Sequence, residues 1–377
     1  MKNRIASPLN ECEQALQRLL QLEAVGLSAD SHEDLWEILT FLKHEHREVR
    51  YAAAETLGRL GERVKPYISY LIALLTDRDR YIHFAGIEAL SRLQKIAIDA
   101  VPQLLALLQH PAWDVRYDAI EVLAEVGAEA CIPHLVECLE DKDSRVRFAA
   151  VEALGRLGEM TSIYIPQIAA RRIAQHLEDD DPMVRSLAAQ VLENLGNVAK
   201  AYIPQIAERL SDEDPTVRAA AAVALGYLGK EARTNGSLCQ LALQQIVVLL
   251  KDREPAVRST ALKIVGEIGE DTKMYIPSSI ADQIAENLQD CEPQVRAAAV
   301  EAMGNIEHSN RAYIPQIVAC LNDSDSLVRA STLIALGKLE YFIEDYLPHI
   351  RACLTDHESI VSSAAQEVLN VLYENMR

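Results

Sequence analysis

The stretch DPTVRAAAAVALGYLG, residues 214–229, decides the fold. With Arg218 as position zero, the apolar residues fall at −1 (Val217), +3 (Ala221), +6 (Ala224), +7 (Leu225) and +10 (Leu228). Steps of three and four place them on one face of a helix. The glycines at +8 and +11, Gly226 and Gly229, suit a close backbone approach followed by a C-cap. The stretch DSRVRFAAVEALGRLG, residues 143–158, repeats the pattern, with Gly155 and Gly158 in the same places.

Working outward, the Arg recurs at Arg50, Arg116, Arg147, Arg185, Arg258, Arg296 and Arg329, and two further copies carry His83 and Ser362 instead. Successive copies lie 33, 33, 31, 38, 33, 40, 38, 33 and 33 residues apart. A period of this size with helical patterning inside it marks an array of two-helix units. Position −1 is Val49, Ile82, Val115, Val146, Val184, Val217, Val257, Val295, Val328 and Val361, an unbroken β-branched column.

The first helix of each unit is announced by Tyr-Ile-Pro-Gln-Ile at 164–168, 202–206 and 313–317, and more loosely near Tyr275, Tyr346, Val101 and Ile132. Pro fits a first helical turn, where its missing N–H would be unpaired anyway. From that Pro to the Arg is 14 residues in Pro204 to Arg218, but 19 in Pro166 to Arg185 and in Pro277 to Arg296. Repeats five and eight, and with them seven, should therefore have longer first helices. Residues 9–25 read as an amphipathic helix capping the apolar end of the array. The last helix turns polar at Ser362, Ser363, Gln366 and Glu367, as a terminal repeat must. The expectation is an all-α protein: a right-handed α-solenoid, or superhelix, of about ten two-helix repeats. Residues 1–30 would form the N-terminal segment with its capping helix, and 31–377 one continuous domain.

Composition narrows function by exclusion. A formal charge of −19 and a pI near 5.0 contradict a general nucleic-acid binder, which needs a basic face against phosphate. No apolar run approaches the length that crosses a bilayer, and the N-terminus has no secretory pattern, so no membrane partner is expected. Seven Cys, an odd count with no C-x-x-C pair, point to reduced thiols and a cytoplasmic protein. Cys138, Cys320 and Cys353 share one repeat position and read as small core residues. Trp36 and Trp113 read as packing residues.

These residues resemble HEAT repeats over roughly 30–375, particularly the short bacterial kind found in phycobilin lyases and in deoxyhypusine hydroxylase. In HEAT arrays the Arg series pairs with acidic groups of the inter-helix turns. Asp143, Asp181, Asp214 and Asp325, just before Val-Arg, offer such groups. The resemblance also implies that the exposed face of the second helices lines the concave surface of the solenoid.

That face carries the candidate binding site. At +1 the first four repeats place Tyr51, Phe84, Tyr117 and Phe148, whereas the last six place Ser186, Ala219, Ser259, Ala297, Ala330 and Ser363. At +5 the same four carry Glu55, Glu88, Glu121 and Glu152, and at +9 they carry Arg59, Arg92, Glu125 and Arg156. Aromatic and Arg side chains dominate binding hot spots. The pattern therefore points to a non-enzymatic scaffold holding a partner protein, as a peptide or helix, in the groove of its N-terminal repeats. Two plainer roles compete: the aromatics fill gaps between repeats, and Glu and Arg form i, i+4 pairs.

The alternative is a phycobilin-lyase-like chromophore binder or chaperone, with a linear tetrapyrrole stacked on the aromatic row. No catalytic residue, cofactor or metal is expected. Deoxyhypusine hydroxylase sets His-Glu pairs at +1 and +2 for its irons, and here those positions read Tyr51-Ala52, Phe84-Ala85, Tyr117-Asp118 and Phe148-Ala149. The pairs His32-Glu33, His44-Glu45 and His357-Glu358 stand near helix starts and have no repeat equivalence.

Overall fold

A computed structural model describes residues 11–24, 32–127, 129–160, 164–231, 236–272, 276–306, 311–339 and 344–375. Every regular element among them is a helix. The chain is an all-α solenoid, and its contacts fall into two compact units, Met1–Ile165 and Pro166–Arg377.

The second helices of the repeats are numbered here α1 to α10. The first unit holds α1 (Arg47–Arg59), α2 (Arg80–Leu93), α3 (Trp113–Val126) and α4 (Ser144–Met160). The second holds α5 (Pro182–Asn194), α6 (Pro215–Glu231), α7 (Pro255–Thr272), α8 (Pro293–Asn305), α9 (Ser326–Lys338) and α10 (Ser359–Asn375). Within each unit every second helix packs on the next one along. The β-branched column at −1 lies in these seams, no member more than 3 % exposed. Full burial of a Val side chain contributes roughly 1.5–3 kcal/mol, so each repeat gains about that much from its column residue.

Close packing depends on the +8 glycines. A Cβ on Gly58 would come within 2.8 Å of the Ala89 backbone, and one on Gly266 within 2.8 Å of the Ala302 backbone. Small Ala at +6 of one helix thus meets Gly at +8 of the helix before it. The +11 glycines divide. Gly61, Gly127 and Gly196 end their helices with positive φ, but Gly158 and Gly229 lie inside α4 and α6 and cap nothing. The expected C-caps are wrong there because these helices run on to 17 residues.

First helices are 6 or 7 residues long in the short repeats, such as Ile68–Leu74 and Ile203–Glu208. They reach 12 in repeat five (Tyr164–Gln175), 11 in seven (Gly236–Ile246) and 9 in eight (Ser278–Glu286), as the spacing predicts. Pro occupies the first turn in five of the short ones. In repeat eight Pro277 instead precedes the helix in extended backbone, and Tyr275 lies outside the described residues.

The N-terminal helix is Glu11–Ala24. It buries Ala15, Leu19 and Leu22 against the first repeat, and Arg18 forks onto Glu37 at 2.8–3.2 Å. At the other end Ser363, Gln366 and Glu367 face solvent. Cys138, Cys320 and Cys353 are buried. Burial pushes the Cys138 thiol up to about 12 and that of Cys320 up to about 11.

The Arg series is a set of inter-repeat locks, but its partners are not the acids just before Val-Arg. Those acids serve their own helices, as when Asp181 accepts the Met183 N–H and Asp325 the Leu327 N–H. The lock is made with an Asp at −6 of the following repeat. Arg116 holds Asp141, Arg185 holds Asp212, Arg218 holds Asp252, Arg258 holds Asp290, Arg296 holds Asp323 and Arg329 holds Asp356. In each, Nε and Nη2 fork onto both carboxylate oxygens at 2.7–2.9 Å. The Nη1 group donates to carbonyls of the Arg's own turn, and each Asp also accepts the N–H two residues on, as Asp141 does from Asp143.

Repeat two breaks the rule in a compensated way. His83 replaces the Arg, and the following repeat has His110 where the Asp should stand. Asp118, at a position that is Ala in six of the ten repeats, supplies the missing carboxylate: His83 Nδ1 lies 2.7 Å from its Oδ2 and His83 Nε2 lies 2.7 Å from the Asp77 carbonyl oxygen. That carbonyl can only accept, so Nε2 is the donor there, and Nδ1 faces the Asp118 carboxyl. Both side chains are buried.

Candidate functional site

Helices α1 to α4 present the +1, +5 and +9 residues on one face of the first unit. Phe84 is 56 % exposed, while Tyr51, Tyr117 and Phe148 are half-buried. Among the described residues the four rings do not stack on one another from repeat to repeat. Each Tyr instead turns toward the N-terminal ends of the second helices. Tyr51 stacks on Tyr81 with centroids 4.8 Å apart and 21° between planes, and its hydroxyl donates to Glu88 at 3.2 Å. Tyr117 meets Trp113 edge-on at 6.5 Å.

Residues at −2 and −3 therefore belong to this face, and sequence reasoning missed them. Trp113 lies between two guanidinium groups, Arg145 at 3.4 Å and Arg80 at 4.8 Å from the ring centroid. Arg47 covers Tyr81 at 5.9 Å. A signal was present: position −3 is Pro in repeats five to eight and Ser in nine and ten, but Arg47, Arg80 and Trp113 in the first three. Trp36 corrects the expectation of a packed Trp, for it is 51 % exposed and meets Tyr67 edge-on at 5.9 Å.

The charges of the face are unevenly matched. Glu55 binds Arg59 at 2.6 Å and Glu88 binds Arg92 at 2.5 Å, both i, i+4 pairs; Arg59 also reaches Glu23 of the N-terminal helix. In α3 the +9 residue is Glu125, and Arg156 of α4 crosses to it at 2.7 Å. Partial burial first, then Glu152, pushes the Glu121 carboxyl above its usual range. Burial and the Glu121 and Glu152 charges raise the Tyr117 phenol in turn.

Cys12, His46 and Glu48 form the one group of three metal-ligand types among the described residues, with ligand atoms within 4.8 Å of one another. It lies near the start of α1, where Arg47 donates to Glu48 at 3.2 Å. His44 and His110 accept the N–H two residues on and so stand in for the turn Asp.

No helix is long and apolar enough to cross a membrane among the described residues. No curated protein matches the chain significantly. Solved structures share its fold at low identity. Kap95p, in the structure where its binding induces the switch loops of RanGDP, aligns with a TM-score of 0.65 and 15 % identity over 96 % of this chain and 53 % of its own. Kap121p bound to Nup53p gives 0.65 and 15 % over 97 % of this chain and 44 % of its own. An engineered protein gives 0.50 and 19 % over 90 % and 99 %. The chain thus spans about half the length of the karyopherins it matches. A model of a non-SMC mitotic condensation complex subunit matches residues 232–318. The model of HEAT repeats matches residues 35–102, 101–165, 170–242 and 281–370, and the chain belongs to the HEAT-repeat family.

Proposed function

We propose that this chain is a non-enzymatic scaffold, acting in the cytoplasm, whose first four repeats bind a partner protein. The partner lies, as a peptide or helix, along the +1/+5/+9 face of α1–α4. Membership of the HEAT-repeat family supports this, as do fold relatives solved with protein partners, Kap95 with Nup1 and Kap121p with Nup53p.

One observation carries the proposal. Phe84 leaves more than half its surface in water within a row of three other aromatics, where α5 to α10 place only Ser or Ala. A large apolar side chain left in water beside other partly exposed aromatics supports an interaction surface. A tetrapyrrole fits less well, because its propionates are anionic and the +5 row consists of carboxylates.

The test is affinity purification from the native host with the wild-type chain and a Phe84→Ala/Phe148→Ala variant, followed by quantitative mass spectrometry. The expected result is a protein recovered by the wild type and depleted at least about tenfold by the variant, the typical cost of losing hot-spot anchors. The helical circular-dichroism signal should be unchanged. Equal recovery by both would overturn the reading.

A further inference from the structure

The N-terminal helix Glu11–Ala24 belongs to no repeat, and its packing on α1 brings three ligand types together. Cys12 Sγ, a ring nitrogen of His46 and a Glu48 carboxylate oxygen all lie within 4.8 Å of one another. No repeat rule accounts for them. Position −4 is Asp or Glu in eight of the ten repeats, an acid that can cap its own helix. Repeat one has His46 there, and its side chain makes no cap hydrogen bond. Cys12 is half-buried and outside the buried column of Cys138, Cys320 and Cys353.

Thiolate, imidazole and carboxylate together form a donor set that zinc accepts, whereas calcium and magnesium take oxygen ligands. In a tetrahedral zinc site, bonds of about 2.0–2.3 Å put the ligand atoms roughly 3.5 Å apart. The closing movement falls on surface side chains, since His46 and Glu48 are 47 % and 55 % exposed. Two neighbours act in opposite directions. Glu45 Oε1 lies 3.5 Å from His46 Nε2 and favours a cation beside the ring, while Arg47 donates to Glu48 Oε1 at 3.2 Å and opposes one. An exposed pair of that kind contributes little, and Arg47 has a second acid in Asp79 at 3.9 Å.

We propose that Cys12, His46 and Glu48 bind one zinc ion, which ties the N-terminal helix to α1 and leaves a fourth position for water. The Cys12 thiol gives its proton to solvent as the thiolate binds, so affinity falls as pH falls. Cys12 and His46 stand 34 residues apart in different elements, and no spacing motif joins them in the sequence. None of the three belongs to the residues proposed to bind a partner.

The full chain, stripped of metal and kept reduced, is titrated with zinc in competition with a chromophoric chelator. One equivalent should bind, and cobalt in its place should give a thiolate-to-metal charge-transfer band in the near ultraviolet. Cys12→Ala should abolish that band, whereas Cys291→Ala, which removes an exposed thiol elsewhere, should keep it. His46→Asn, which offers a capping side chain in place of the imidazole, and Glu48→Gln should each weaken zinc at least about tenfold, since even outer partners of metal ligands are worth about 10–100-fold. Zinc at about a hundred times its Kd should slow hydrogen exchange in Glu11–Ala24 up to about a hundredfold, because the ion binds only while that helix is docked. Circular dichroism verifies that each variant is folded. No zinc uptake, a cobalt band that survives Cys12→Ala, an affinity untouched by His46→Asn or Glu48→Gln, or helix exchange unchanged by zinc would each overturn the proposal.

Discussion

The buried His83–Asp118 pair offers a test of how this array is locked. Replacing His83 by Ala removes two 2.7 Å contacts and leaves Asp118, 3 % exposed, without its partner. Removing one member of a buried charged pair costs about 3–5 kcal/mol, because the survivor keeps its desolvation penalty. The Asp118 carboxyl is already pushed above its ordinary 3.8 by burial, with His83 pulling it back. Without His83 it rises further, so the folded variant binds a proton that the unfolded chain releases above about pH 4. A group with a raised folded value stabilises fully below its unfolded value and loses that stabilisation as pH rises. The His83→Ala deficit should therefore be smallest near pH 4 and grow toward neutrality.

A long array unfolds locally, so a single melting curve is the wrong assay. Hydrogen exchange of α2 and α3, followed by mass spectrometry, reads the step directly. At about 1.4 kcal/mol per tenfold, exchange should accelerate by roughly two to three and a half orders of magnitude at pH 7. Adding Asp118→Ala should recover about 2–3 kcal/mol as coupling between the two sites. The combination His83→Arg/His110→Asp/Asp118→Ala should rebuild the fork seen at the neighbouring steps and return within about 1 kcal/mol of wild type. A His83→Ala loss below about 1 kcal/mol with no pH dependence would refute the reasoning.

Other consequences follow from the packing. Gly266→Ala should cost about 1–3 kcal/mol and speed exchange in α7 and α8, because its Cβ would press on the Ala302 backbone. Gly61→Asn should cost much less, since nothing lies within 4 Å and Asn tolerates positive φ. The locks should also fail in acid. Burial opposes ionisation of Asp212, Asp252 and Asp290, but Arg and backbone donors outweigh it; at Asp323 and Asp356 the Arg bond is the largest influence and brings Asp356 to about 2. Because these folded values lie below the unfolded 3.8, the locks should hold fully above about pH 5 and weaken as pH falls toward 2, followed as loss of helical circular dichroism.

The chain by itself determined the repeat. The β-branched column at −1 and the three-and-four spacing of small and apolar residues fix which helix face is buried, and that face alone decides how one repeat stacks on the next. Helix lengths followed from the Pro-to-Arg distances, since each residue adds a fixed rise. The lock partners did not follow, because an Asp at −6 and an acid at −4 look alike along the chain. Only the stacking puts the −6 carboxylate opposite the preceding Arg and leaves the −4 acid over its own helix N-terminus. The His83–Asp118 exchange was written in three columns at once, and nothing local joins residues 35 apart.

The candidate site divides the same way. That repeats one to four differ at +1, +5 and +9 is plain in the sequence. That Phe84 faces water while Tyr51 leans on Tyr81, and that Glu55 and Glu88 form ion pairs with Arg59 and Arg92 while Arg156 pairs with Glu125, was settled by tertiary structure. Exposure and charge compensation depend on which neighbouring helix brings a side chain within reach, a distance across the seam that repeat spacing does not encode.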